Sequence, residues 1–270
     1  MINGTWNRWW FEPEVCNIRR VSTEEACGCF RGKTIGLIGD STIGDFWKQL
    51  PAAFGEMRKF GPDFDISFLE QMRQAGDMRL YNDTTHRKDS HNFQFRHWAL
   101  WRMEMWSTNR IARDNANHTI ASILQNTTHD LIMLNIGSHH MSLGFKELVP
   151  LLDFYTTVDD FVRNPPNQTQ VPPTIFLGTN AHYGPKKRPS RKHQNHHYSR
   201  VVNELAHYAF ELEQPQKIPM IDFTGMMEAG FPWSSRDGVH CPNKMDDMKV
   251  RTMVSLLCPE GGTLRTYVPE

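Results

Sequence analysis

A serine lies early in the chain, in Gly39-Asp40-Ser41-Thr42, and an acid and a histidine lie late, in Asp237-Gly238-Val239-His240. A serine hydroxyl is a weak nucleophile and needs an adjacent base to take its proton. An imidazole does this when a carboxylate holds it in one tautomer, and Asp237 and His240 stand three residues apart in one loop. Ser41 follows an apolar run and opens a stretch of helical spacing. A helix start offers free backbone N–H groups and a positive dipole end, which favour a developing oxyanion. Each half of the pattern also has an ordinary explanation. Ser41 or Thr42 can serve as a helix cap, and Asp-Gly is a common turn dipeptide.

The elements that would carry these residues alternate between short apolar strands and longer amphipathic stretches. Strands are predicted at 33–38, 92–100, 130–136, 174–177 and 218–223. Helices are predicted at 45–57 with a break at Pro51, and at 145–162, 198–212 and 244–257. Such alternation implies crossover units and a mostly parallel sheet covered on both faces. Function in such folds gathers at the carboxyl ends of the strands. Three predicted ends are chemically loaded: Gly39-Asp40-Ser41, Gly137-Ser138-His139-His140 and Gly178-Thr179-Asn180-Ala181-His182.

With both halves of the pattern in view, the chain resembles the GDSL/SGNH hydrolase superfamily. The segments from Trp6, Trp10, Pro13, Cys16 and Cys29 through Phe30-Arg-Gly-Lys33 to Leu37-Ile-Gly-Asp-Ser-Thr42 look like its PC-esterase branch. Asp130 to His139, and Ile221-Asp222 through Asp237-Gly-Val-His-Cys-Pro242, fit the same branch, which is thus matched over roughly 6–258. Within it the chain is most similar to the NXPE proteins. Sialate O-acetyltransferase and the plant trichome-birefringence-like acetyltransferases are more distant. The resemblance implies a flavodoxin-like three-layer α/β/α sandwich with Ser41 as nucleophile, His240 as base and Asp237 as its orienting acid. It implies an oxyanion hole built from the Ser41 backbone and other strand ends, with Gly137, His139 and Asn180 as candidates. Two departures stand out. His139 occupies the position of the superfamily's oxyanion asparagine, and Ile43-Gly-Asp45 follows Thr42 where the branch commonly has arginine and glutamine. The superfamily's second glycine block has no identified counterpart.

The chain has 270 residues and is 39% hydrophobic, enough for one substantial core, and it carries no linker or repeat. We expect one domain over 1–270, with a Cys- and Trp-containing lead-in at 1–32 and a catalytic core at 33–258. Thirty basic residues balance thirty acidic ones, which argues against a nucleic-acid partner. No apolar run approaches the ~18 residues of a membrane span, so membrane attachment would need a segment outside this sequence. Sequons at Asn3, Asn82, Asn117, Asn126 and Asn167 point to the secretory lumen or the extracellular side. Grouping of Cys16, Cys27 and Cys29 at one end, and of Cys241 and Cys258 at the other, suits short-range disulfides. The alternative compartment is cytosolic, with five reduced thiols.

Rival chemistry is weaker. His139-His140 and His193-x-x-His196-His197 meet no fixed metal-ligand spacing, so no metal is expected. The run Lys186 to His193 reads as a solvated loop, although near a site it would attract an anion. Trp98, Trp101 and Trp106 read as one buried helical face rather than a sugar platform. An α/β-hydrolase is the nearest enzymatic rival, but the second glycine of its nucleophile elbow is missing, and its acid and histidine normally lie far apart. The expected function is acyl transfer on a glycan, as O-acetyltransferase or O-acetylesterase. It needs no tightly bound cofactor, but takes an acetyl donor such as acetyl-CoA if it is a transferase. A catalytically silent binding or signalling module is the alternative.

Overall fold

The computed structural model describes residues 4–7, 10–13, 21–39, 42–43, 46, 81–82, 87–94, 100–107, 129–141, 148–165, 171–183, 194–212, 218–230, 233, 238–259 and 264. A hairpin of β1 (Gly4–Asn7) and β2 (Trp10–Pro13) lies in the lead-in. It precedes helix α1 (Thr23–Phe30), whose start is closed by a capping box. Glu25 N–H donates to Ser22 Oγ at 3.2 Å, and Ser22 N–H donates to the Glu25 carboxylate at 2.8 Å.

Among the described residues seven strands form the main sheet: β3 (Thr34–Gly39), β4 (Tyr81–Asn82), β5 (Arg87–Gln94), β6 (Leu100–Ser107), β7 (Leu131–Asn135), β8 (Thr174–Leu177) and β9 (Met220–Ile221). Their order is β4-β5-β6-β3-β7-β8-β9. From β6 to β9 every pairing is parallel, while β4 and β5 add an antiparallel edge. Numbered along the chain, the parallel strands run 2-1-3-4-5, the flavodoxin-like order. The order reverses between β3 and β7, so a crevice is expected outside their carboxyl ends. At the opposite ends Asp130 ties the two strands together, accepting from Thr34 N–H at 2.8 Å and Lys33 Nζ at 3.0 Å.

Strand alternation builds two cores. Ile35, Leu37, Leu131, Met133, Ile175 and Leu177 face one side, where α1, α5 (Thr224–Ala229) and α6 (Asn243–Leu257) cover them. Ile38, Ile132, Leu134 and Phe176 face the other, under α3 (Leu148–Arg163) and α4 (His196–His207), which runs on into a π-helical turn at Tyr208–Leu212. This is the expected three-layer sandwich.

Several expectations change. The strand predicted at 92–100 resolves into the end of β5 and the start of β6. Trp101 and Trp106 lie within β6, so the helical face proposed for them does not form. Trp98, and all but Phe46 of the helix predicted at 45–57, including Pro51, fall outside the described residues. The strand predicted at 218–223 shortens to Met220–Ile221. Among the described residues the disulfide is long-range, not short-range as expected: Cys29 bonds to Cys258 across 229 residues, while Cys16 and the Cys27 side chain fall outside those residues. The bond pins α1 to the end of α6 inside the first core, because both helices pack on the same sheet face. Among the described residues no helix is long and apolar enough to cross a membrane.

A cross-link closing a loop of 229 residues removes much of the unfolded chain's freedom. Replacing Cys29 and Cys258 together by alanine should cost about 5 kcal/mol. Urea unfolding checks this, and a loss under about 1 kcal/mol would show that the bond does little for the fold.

Candidate active site

The carboxyl ends of β3, β7, β8 and β9 lie along one edge of the sheet. Asn135, the last residue of β7, ties three of them together. It is 4% exposed; its Oδ1 accepts from Thr42 Oγ1 at 2.6 Å, and its Nδ2 donates to Leu177 O at 2.8 Å and Gly178 O at 3.1 Å. Gly39 closes the gap between β3 and β7 so tightly that a Cβ there would sit 2.4 Å from Asn135 O. Gly39 and Thr42 bracket Asp40 and Ser41, which fall outside the described residues.

The loop bearing the late half of the pattern reaches the same edge. Gly238 has a φ of +91° and its carbonyl accepts from Tyr183 N–H at 3.0 Å; the Val239 carbonyl accepts from Asn180 Nδ2 at 3.1 Å. His240 follows, part-buried, and Asp237 falls outside the described residues. Asn180 is fully buried, and its Oδ1 accepts from Lys249 Nζ at 2.6 Å.

Gly137 and His139 lie just beyond β7, Gly137 before and His139 within the short helix α2 (Ser138–Met141). Gly137 has a φ of +145°, and a Cβ there would lie 2.5 Å from Val202 Cγ1 and 2.6 Å from Thr179 Cγ2. The neighbouring backbone is braced on every side. Tyr155 donates to Ile136 O at 2.6 Å, Gln194 Nε2 donates to Ser138 O at 3.0 Å, and His182 Nε2 lies 3.3 Å from Ser138 Oγ.

A second polar network locks the ends of β8 and β9 to α4. Asn203 Oδ1 accepts from Thr179 N–H at 2.8 Å, and its Nδ2 donates to Asp222 Oδ1 at 2.9 Å. Thr224 donates to the same carboxylate oxygen from its N–H at 2.8 Å and its hydroxyl at 2.6 Å. Burial pushes the Asp222 carboxyl above the usual carboxylate range, while the hydrogen bonds from Thr224 and Asn203 pull against that rise.

Lys249 and Asn135 carried no functional signal in the sequence. The one hint for Asn135 was a polar residue interrupting the apolar run from Leu131 to Ile136. The His196 and His197 ring centroids lie 3.8 Å apart with the rings tilted at 42°, and His196 is held below its ordinary value, first by burial and then by His197. Among the described residues no group of three His, Cys, Asp or Glu converges as a metal site. His193 and the basic run 186–193 fall outside those residues.

This strand order, with polar strand ends gathered at the switch point, defines a doubly wound, flavodoxin-like α/β/α sandwich. Residues 10–258 match the family model described as "NXPE family member 4-like, C-terminal domain". The chain belongs to that family. Among solved structures it is similar to the native aryl esterase of M. smegmatis, at 12% identity and a TM-score of 0.48, over 83% of this chain and 97% of that one. It is also similar to Est24, a carbohydrate acetylesterase from Sinorhizobium meliloti, at 11% identity and a TM-score of 0.46, over 83% and 96%. A peptidoglycan O-acetylesterase is similar at 11% identity and a TM-score of 0.49, over 89% and 96%. No curated protein matches the chain.

Two predictions follow from the packing of this edge. Gly137→Ala forces a side chain into Val202 and Thr179 at a left-handed φ, and should cost about 3 kcal/mol in urea unfolding. Asp222, with its folded value raised, holds its proton more tightly when folded than unfolded. It therefore favours the fold at low pH and loses that contribution as pH rises through its folded value. Asp222→Asn should accordingly gain in thermal midpoint relative to wild type as pH is raised from about 4 to about 7. An unchanged gap across that range would mean the carboxyl titrates normally.

Proposed function

We propose that the protein is a serine-dependent acyl-transfer enzyme acting on carbohydrate, as an O-acetyltransferase or an O-acetylesterase. The observation that carries this reading is the convergence of the two halves of the sequence pattern. Thr42, next to Ser41, bonds to Asn135, which bonds to Gly178; two residues on, Asn180 bonds to Val239, next to His240. The residues flanking the proposed nucleophile and base are thus joined by a short chain of buried hydrogen bonds at the sheet's switch point. Family membership over 10–258 supports the same reading.

In this mechanism Ser41 Oγ attacks the acyl carbonyl and gives its proton to His240, held in register by Asp237. The Ser41 N–H, with Gly137, His139 or Asn180 supplying a second donor, stabilises the oxyanion. Collapse passes the proton from His240 to the departing alcohol or thiol and leaves an acyl-Ser41 ester. A second nucleophile then gives its proton to His240 and takes the acyl group, and His240 passes that proton to the departing Ser41 oxygen. Water makes the enzyme an esterase, and a sugar hydroxyl makes it a transferase. We favour the sugar hydroxyl, with an acetyl donor such as acetyl-CoA, on the branch resemblance. The Cys29–Cys258 bond and the five sequons favour the secretory lumen or the extracellular side.

The test is labelling with a fluorophosphonate, with adducts mapped by mass spectrometry. Wild type is expected to label at Ser41. Ser41→Ala and His240→Ala should lower labelling at least about 10³-fold, while Ser41→Ala keeps its thermal midpoint within about 2 °C. Folded, disulfide-intact wild type that never labels would favour the silent binding module instead.

A further inference from the structure

Lys249 sits in the second turn of α6, only 4% exposed, with its ammonium inside the core beneath the strand ends. Its Nζ donates to Asn180 Oδ1 at 2.6 Å and lies 3.4 Å from Asp246 Oδ1, itself buried one helical turn earlier. It also lies 4.0 Å from the Cys241 thiol, and 6.0 and 5.6 Å from the ring centroids of Phe46 and Phe223. A small cavity at these strand ends is lined by Thr42, Asn135, Gly178, Asn180 and Lys249, together with Phe46 and Phe223. A buried ion pair is an expensive way to fill such a space, and an apolar pair of similar volume is often as stable or more so. What the ammonium supplies that a methyl group cannot is direction. An asparagine amide can face either way, and an ammonium accepts nothing, so Lys249 forces the oxygen of Asn180 towards itself. The amide nitrogen is then turned to the Val239 carbonyl, at 3.1 Å. That carbonyl belongs to the peptide unit whose nitrogen is His240's own.

We infer that Lys249 is a positioning residue: by orienting the Asn180 amide, it holds the Val239–His240 peptide, and with it the imidazole, in register with the strand ends. The inference rests on the reading of His240 as the base. Its consequence for rate follows from geometry, since a reacting group misplaced by about 1 Å can cost about 10²-fold. Asn180 has this bracing role whether or not its amide also faces the oxyanion.

Lys249→Met alone leaves Asp246 buried without its cation and risks the fold. The decisive variant is therefore the charge-neutral pair Lys249→Met with Asp246→Asn. Asn180→Asp serves as a second, independent break: it keeps an acceptor for Lys249 but gives Val239 no donor. Three readouts are taken on the full chain: the thermal midpoint, kcat and KM for p-nitrophenyl acetate beside the fluorophosphonate labelling rate, and the ¹H–¹⁵N imidazole signals of His240, assigned with His240→Gln. Both variants are expected to fold, to lose about 10-fold or more in kcat and labelling rate with KM within about twofold, and to shift the His240 signals alike. Unmoved His240 signals with wild-type kcat, whatever the thermal midpoint does, would overturn the positioning role and leave the triad standing. Shifted His240 signals in both variants of a protein whose wild type never labels would uphold the coupling and overturn the triad instead.

Discussion

Asn135 stands where β3 and β7 part and the strand order reverses. A buried amide must find partners for its oxygen and both its N–H groups, and an unmet group costs about 1–3 kcal/mol. Here those partners are the Thr42 hydroxyl on one side and the Leu177 and Gly178 carbonyls on the other. Satisfying one side chain therefore fixes the exit of β3, the end of β7 and the end of β8 relative to each other. The closeness of Gly39 to the Asn135 carbonyl makes the arrangement tighter still, because no side chain can separate β3 from β7 at that point. Everything proposed for the site depends on this clamp, since Thr42 follows Ser41 in sequence and Asn135 stands two residues before Gly137.

Beyond the clamp, the strand ends carry more buried polar chemistry than the sheet needs. The network of Thr179, Asn203, Asp222 and Thr224 anchors β8 and β9 to α4 on one face. The Asn180–Lys249–Asp246 chain anchors the same region to α6 on the other. Such networks are costly unless fully satisfied, and when satisfied they specify one geometry where a purely apolar contact would allow sliding. The two apolar cores hold the layers together; the polar networks set where the strand ends stop. The division suits a fold whose stability lies in its layers and whose chemistry lies at one edge.

The apolar signals in the sequence were sound wherever a strand is buried on both faces. Thr34–Gly39, Leu131–Asn135 and Thr174–Leu177 read directly, as did the long helices at 148–163 and 243–257, whose apolar stripes meet the sheet. The signal failed towards the antiparallel side. Arg87–Gln94 is almost wholly polar, and Leu100–Ser107 alternates in a way that also suits a helix, so neither has a pattern that isolates it. The disulfide was misread for a related reason. Cysteines clustered in sequence suggest local pairing, whereas Cys29 and Cys258 meet because two helices from opposite ends of the chain cover one sheet face.

By itself the sequence determined the alternating α/β plan, the chemically loaded strand ends and the resemblance that singles out Ser41, Asp237 and His240, because residue type and periodicity are local properties. Strand order, the partner of Cys29, the clamp at Asn135 and the buried ammonium at Lys249 were decided only by the tertiary structure. Each of these depends on which distant segments share a sheet edge. A lone asparagine in an apolar strand, or a lysine on a mixed helix, has no meaning until the groups 42, 43 and 69 residues away are brought within hydrogen-bond reach.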